Sequence, residues 1–221
     1  MEKVRWVASN QVVQAPLIGL EVKENDHIGA VVGTGDILFA MIAEGAFVES
    51  ADTDPKQIEY VKLRMGQVRA DKHHDFLYSG LELNVYSTPK EIAARTAYFS
   101  DQKRWEQLKR NISKLKDPDL EDIGKFVGGK RFDKIFLSNA AGWGWTGETE
   151  GGMIAGDIDC RRIFDICSKS LDQGGLVYRV RFGFQWFFGK EYEGFELDKD
   201  LTQKAQRSEQ SSWITEVYRG V

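Results

Sequence analysis

The chain has 221 residues, a formal net charge of −4 and an ordinary hydrophobic fraction of 42%. This length suits a single domain of residues 1–221, and the acidic balance argues against a general nucleic-acid binder, whose surface is usually basic. No apolar run approaches the roughly 20 residues of a membrane-spanning helix, and the N-terminus lacks the apolar core of a signal peptide. The two cysteines, Cys160 and Cys167, fall in one predicted helix, which favours reduced thiols. We therefore expect a cytoplasmic protein with no clear nucleic-acid signal.

Strands and helices alternate along most of the chain. Residues 1–25, interrupted by Pro16, are expected to form a short helix or an N-terminal arm. Short apolar or alternating runs predict strands at 27–33, 47–52, 81–87, 132–137, 176–181, 194–197 and 212–218. Apolar residues at helical spacing predict helices at 36–45, 55–69, 89–116 and 158–172. Residues 89–130 are expected to form a charged helical cover, with a break near Ser100 and Asp101, followed by a polar connection.

This alternation predicts the fold class. Consecutive parallel strands require crossover helices, so the pattern favours a three-layer α/β sandwich around a mainly parallel, Rossmann-like sheet of seven strands. The last two strands are separated by a polar connection. We therefore expect them to pair as an antiparallel C-terminal hairpin at the edge of the sheet.

A glycine turn and an acid follow the first two strands. The first strand runs into Gly33-Thr34-Gly35-Asp36, and a helix follows. Glycine lets the backbone approach a ligand closely, and the start of a helix offers backbone N–H groups to it. Asp52 ends the second strand, within the ~20-residue offset expected for an acid that binds a ribose. Because open α/β sheets bind ligands at the carboxyl ends of their strands, these residues predict a nucleotide-type site.

Two residues of this turn favour S-adenosylmethionine (SAM) over NAD as the cofactor. The NAD fingerprint requires a third small residue three positions after its second glycine, and Leu38 stands there. Asp36 puts a carboxylate where a pyrophosphate would lie. SAM has no phosphate and carries a sulfonium and an amino group, so an acid near the turn repels a dinucleotide but can tolerate or attract SAM.

Several short motifs resemble those of SAM-dependent enzymes. Residues 48–57, Val-Glu-Ser-Ala-Asp-Thr-Asp-Pro-Lys-Gln, resemble the second-strand motif of class I SAM-dependent methyltransferases. With the continuation through 59–64, they are more similar to the SAM:diacylglycerol 3-amino-3-carboxypropyl transferases, the betaine-lipid enzymes, which carry Asp-x-Asn-Pro-x-Gln here. Residues 137–139, Leu-Ser-Asn, resemble that family's fourth-strand motif. Residues 9–12, Ser-Asn-Gln-Val, are similar to its Ser-Gln-x-Trp-Glu-Asp-Pro segment, although the Trp, Glu and Asp are missing.

The resemblance implies the class I methyltransferase fold and a set of site residues. Asp52 would bind the ribose, the turn at 33–36 would bind the methionine part, and Ser138 and Asn139 would border the reaction site. The expected cofactor-binding residues are Gly33, Thr34, Gly35, Asp36, Asp52, Thr53, Ser138 and Asn139. The first strand lacks the acid that many class I methyltransferases carry before the glycines.

Two segments supply candidates for the acceptor side. Trp143 and Trp145, flanked by glycines, offer a lid or a platform for a planar or cationic acceptor; the alternative is a loop whose tryptophans pack on the surface. Gln11 belongs to the segment that resembles the lipid enzymes. His73 and His74 are adjacent and lack further partners, so no metal is predicted. We expect a small-molecule or lipid-like acceptor. The sequence leaves undecided whether the protein forms a homodimer.

Three functions fit these observations. The betaine-lipid-like motifs favour a SAM-dependent transferase that moves a 3-amino-3-carboxypropyl group to an unidentified acceptor. Methyl transfer to a small molecule or a macromolecule is the close alternative. A SAM-binding module without catalysis is the third, because the first strand lacks its acid and no catalytic base can be named.

Overall fold

A seven-stranded sheet forms the centre of the computed structural model, which describes residues 12–79, 88–138, 152–182, 191–209 and 213–221. The strands are β1 (His27–Val31), β2 (Phe47–Asp52), β3 (Asp119–Leu120), β4 (Phe132–Ser138), β5 (Leu171–Phe182), β6 (Phe195–Leu197) and β7 (Trp213–Gly220). Their spatial order is β3-β2-β1-β4-β5-β7-β6. Neighbours from β3 to β5 run parallel, whereas β7 is antiparallel to both β5 and β6.

Helices cover both faces of this sheet. They are α1 (Gln14–Gly19), α2 (Asp36–Ala43), α3 (Pro55–Arg69), α4 (His73–Tyr78), α5 (Pro89–Phe99), α6 (Gln102–Asn111), α7 (Ile123–Val127), α8 (Gly152–Ser170) and α9 (Lys199–Ser208). The buried apolar side chains form two clusters, and consecutive residues of β5 alternate between them: Tyr178 packs in one and Val177 in the other. Side chains alternate across a strand, so the two clusters lie on opposite faces of the sheet. The predicted three-layer sandwich is confirmed.

Local sequence signals explain the helix boundaries near the site. Pro55 occupies the first turn of α3, and the Asp54 carboxylate accepts the Lys56 N–H at 3.0 Å, which caps the helix. The predicted break at Ser100 and Asp101 separates α5 from α6. The break forms because the Asp101 side chain accepts the N–H of Arg104 at 2.8 Å and so caps the start of α6.

The edges of the sheet differ from the prediction. The link between β6 and β7 is the amphipathic helix α9, which buries Leu201 and Ala205 at a spacing of four residues, rather than a plain polar connection. The two strands nevertheless pair antiparallel as expected. The edge strand beside β2 is β3, which lies within the expected polar connection. The strand predicted at 81–87 lies outside the described residues.

The adjacent histidines His73 and His74 are the first two residues of α4. The His73 ring is hydrogen-bonded to the Phe99 carbonyl at 2.8 Å and stacks on Trp105. The described part of the chain contains no cluster of three or more His, Cys, Asp or Glu side chains suited to a metal ion. Among the helices that the structure describes, none is both long and apolar enough to cross a membrane.

Candidate functional site

The glycine turn between β1 and α2 has two glycines with different surroundings. Gly33 and Gly35 have φ angles of +49° and +79°, a region that other L-residues adopt only with strain. Among the described residues, and apart from its chain neighbours, a Cβ atom on Gly33 would meet no atom within 4 Å, whereas one on Gly35 would lie 2.7 Å from Val61 Cγ2. Gly33 therefore faces open space that a ligand could fill, and Gly35 allows α3 to pack tightly against the turn.

Asp52 lies beside this turn because β1 and β2 are parallel neighbours, with Val31 paired to Ala51. Asp52 Oδ2 accepts the Gly33 N–H at 3.0 Å, and Oδ1 accepts the Asp54 N–H at 3.0 Å. A carboxylate offers about four acceptor positions, so Asp52 retains capacity for further donors. Burial raises the pKa of the Asp52 carboxyl above its usual value, and the hydrogen bonds from Asp54 and Gly33 oppose that shift. The carboxylate is thus poorly solvated, a setting in which donors from a ligand are especially stabilising.

Two side chains of α3 fix the backbone of the turn. Gln57 Nε2 donates to the Gly33 carbonyl at 2.7 Å, and an Arg64 Nη1–H group donates to the Thr34 carbonyl at 3.1 Å. Sequence analysis assigned neither residue a role in the site. Their spacing of seven residues could have indicated a shared role. It puts both side chains on one face of the helix that follows the turn and Asp52.

Asp36 forms a buried ion pair with Arg64. Its Oδ1 atom lies 2.6 Å from Arg64 Nη1, and both side chains have no exposed surface. The Arg64 guanidinium carbon also lies 4.2 Å from the ring centre of Phe76 and 4.8 Å from that of Phe39. We expected Asp36 to present an exposed carboxylate that favours SAM over NAD. That expectation is wrong, because the carboxylate is buried and Arg64 offsets its charge. SAM is favoured instead by the fold and by Asp52.

The remaining predicted site residues divide into two groups. Thr53 is exposed directly after Asp52, and Ser138 ends β4, the strand on the other side of β1, with a φ of +51°. A non-glycine residue in this conformation is strained, and such strain is frequent at functional sites. Gly33, Asp52 and Ser138 thus lie at the carboxyl ends of three adjacent strands, β1, β2 and β4. The others lie outside the described residues: Asn139, Gln11, Trp143 and Trp145.

Comparison with known proteins identifies the fold. No family model and no curated protein matches the chain. Precorrin 8w decarboxylase from Methanobacterium thermoautotrophicum superposes with a TM-score of 0.51 at 12% identity, over 99% of this chain and 97% of that one. TrmN from Thermus thermophilus gives 0.50 at 13% identity, over 95% of this chain but 48% of TrmN, so the chain spans about half of TrmN's length. The chain has the class I SAM-dependent methyltransferase fold.

A looser structural match is a SAM-dependent O-methyltransferase from Thermotoga maritima, with a TM-score of 0.45 at 11% identity, over 99% of this chain and 68% of that one. At such identities a likeness establishes the fold alone. The resemblance to the betaine-lipid enzymes finds no support in any of the three searches. Its motifs fall at the ends of β2 and β4, positions where open α/β sheets in general bind ligands.

Proposed function

We propose that the chain is a SAM-dependent methyltransferase, with its cofactor bound along the carboxyl edge of β1, β2 and β4. The observation that carries this proposal is the hydrogen bond from the Gly33 N–H to Asp52, which holds an acid beside a glycine turn at the start of a helix. In an open α/β sheet this is the place where nucleotide-like ligands bind.

The residues present fit such a cofactor. Gly33 has open space at its Cα, so no side chain of the described residues blocks the approach of a ligand to the turn there. Asp52 has acceptor capacity for the ribose hydroxyls, and its burial makes those hydrogen bonds valuable. Gln57 and Arg64 hold the two carbonyls of the turn, so the binding surface is formed before the cofactor arrives.

SAM, when bound, supplies an electrophilic methyl group on its sulfonium. The task that falls to this chain is binding and orientation: Asp52 and the fixed turn would hold the cofactor in one pose, and the region around Ser138 would border the reaction site. Positioning of this kind, together with exclusion of water, supplies a large part of the rate enhancement when two substrates must meet in line.

We prefer methyl transfer to aminocarboxypropyl transfer. Aminocarboxypropyl transfer rested on the betaine-lipid-like motifs alone, and no comparison supports that family.

The experiment that tests this choice is incubation of the protein with SAM and fractionated small-molecule extracts, followed by mass spectrometry of the product formed from SAM. We expect S-adenosylhomocysteine (SAH) as the product formed from SAM. Methylthioadenosine would instead indicate aminocarboxypropyl transfer. Tight binding of SAM without either product would favour a binding module.

The variant that tests the site is Asp52→Asn, which removes the charge of the acid and keeps its shape. At subsaturating SAM, Asp52→Asn should form less product than the wild-type protein. An equal exposed change, Asp117→Asn, should leave product formation unaltered, because that side chain lies far out in solvent at 67% exposure. Product that forms equally with all three proteins would contradict the proposed site.

A further inference from the structure

A small pocket opens beside the glycine turn, between α1, the start of α2 and α5. We call it the α1–α5 pocket; its volume is about 250 Å³. Asp36, the first residue of α2, contributes to its wall, so the pocket adjoins the turn itself. Its apolar lining consists of Val12, Val13, Ala94, Ala97 and Tyr98. Ligand pockets usually exceed about 300 Å³, so this one suits a small molecule rather than a whole nucleoside cofactor.

Both acids in the pocket wall already have partners. Asp36 is ion-paired to Arg64, and neither side chain has exposed surface. Glu91 caps α5: its carboxylate accepts the Thr88 N–H at 2.6 Å, while its own N–H is donated to Thr88 Oγ1 at 3.3 Å. These carboxylates are therefore poorly suited to attract a cationic ligand.

The two arginines in the wall make the pocket favourable for an anion. Arg95 is buried and donates to two neutral oxygens, the Tyr60 hydroxyl at 2.9 Å and the Leu77 carbonyl. Burial lowers the pKa of the Arg95 guanidinium, and the positive charge of Arg64 adds to this effect. An anion bound nearby would relieve both penalties, because it supplies an opposite charge where solvent is excluded.

Arg104 stands at the pocket as a half-buried guanidinium. It donates to the Tyr98 carbonyl at 2.6 Å, and its guanidinium carbon lies 3.9 Å from the centre of the Tyr98 ring. Within the described ranges Arg104 forms no ion pair. A guanidinium carries five N–H donors in a planar fork that matches a carboxylate or phosphate, so Arg104 keeps donors for such a group.

We propose that the α1–α5 pocket holds the methyl acceptor, and that this acceptor is a small organic anion with an apolar body, its charged group bound by Arg104. The apolar body would contact Val12, Val13 and the two alanines of α5. Gln11, predicted from the sequence as an acceptor-side residue, immediately precedes Val12. The acceptor role rests on the proposed function, whereas anion binding by the pocket does not.

Four probes that share a phenyl ring but differ in charge test the proposal. Ligand-observed NMR titrations of the full chain with benzoate, phenyl phosphate, benzamide and benzylamine, each with and without SAH, give their relative affinities. We expect at least one anion to bind about tenfold more tightly than benzamide and benzylamine. Arg104→Gln should weaken that anion about tenfold, and Arg104→Lys should weaken it less. Lys103→Gln, an exposed change on the same helix, should have no effect.

Each other outcome identifies what has failed. The proposal is overturned if neither anion binds more tightly than benzamide and benzylamine, or if Arg104→Gln leaves the binding of the preferred anion unchanged. If Arg104→Gln weakens SAH but not methylthioadenosine, which lacks the amino-acid end, Arg104 serves the cofactor's own carboxylate and the acceptor assignment is overturned. If SAH fails to bind the wild-type protein while Arg104-dependent anion binding persists, the proposed function fails and the anion site stands.

Discussion

Replacement of Asp52 by Asn provides the sharpest prediction about the cofactor site. The carboxylate is half-buried beside the turn, accepts two backbone N–H groups and keeps further acceptor capacity. A hydrogen bond to a charged group contributes roughly 1.5–3 kcal/mol. Loss of one such bond to a ribose hydroxyl should weaken SAH binding roughly 10- to 150-fold, measured by calorimetric titration.

A double-mutant cycle separates this effect from any loosening of the turn. SAH and its 2′- and 3′-deoxy analogues are titrated into the wild-type protein and Asp52→Asn. If Asp52 binds the ribose, at least one deoxy analogue should bind the wild-type protein about tenfold more weakly than SAH, and that difference should shrink in the variant. Additive losses for both analogues would refute the assignment of the ribose to Asp52, even if the variant binds SAH poorly.

The same carboxyl should make binding depend on pH. Its pKa is raised in the free protein, and a hydroxyl donor from the ligand favours the charged form. SAH affinity should therefore be full above this raised pKa and should fall as the pH drops through it. Asp52→Asn should abolish that fall, which titrations across the acidic range would detect.

Three further predictions concern stability, each measured by urea unfolding. Arg64→Met should destabilise the protein by about 3–5 kcal/mol, because it leaves the buried Asp36 carboxylate without its ion-pair partner, and adding Asp36→Asn should recover part of the loss. Gly35→Ala should lower the free energy of unfolding more than Gly33→Ala. Both φ angles are positive, but only at Gly35 would the new Cβ collide with α3. Equal losses in the two variants would contradict this prediction. Burial raises the pKa of Glu49, but hydrogen bonds from two lysines and a histidine outweigh it and lower that pKa to about 2, so its stabilising effect should be present above pH ~4.5 and lost towards pH ~2. Glu49→Gln should reduce that acid-dependent loss, and an identical pH profile would contradict the assignment.

The sequence predicted the central part of the fold well. The strands at 27–33, 47–52 and 132–137 are short apolar runs, and the structure has β1, β2 and β4 at nearly the same positions. The predicted helix at 55–69 matches α3, because Pro55 and Asp54 mark its start unmistakably. These signals are local, so they can be read without knowledge of the tertiary structure.

What the sequence could not provide depends on contacts between distant residues. The strand β3 has only two residues, and its pairing with β2 rather than a local pattern makes it a strand. The partner of Asp36 lies 28 residues further along the chain, so nothing near the turn shows that its charge is offset. The anionic character expected of the turn was an error of this kind, and the structure corrects it.

Binding of a SAM-type ligand beside Asp52 is the central requirement of the proposed function. Calorimetric titration of the wild-type protein with SAH, with NAD as the comparison, tests this. We predict a single saturable site for SAH, weakened by Asp52→Asn and unaffected by Asp117→Asn, and no comparable heat with NAD. Absence of SAH binding, or equal binding by the Asp52 variant, would contradict the account.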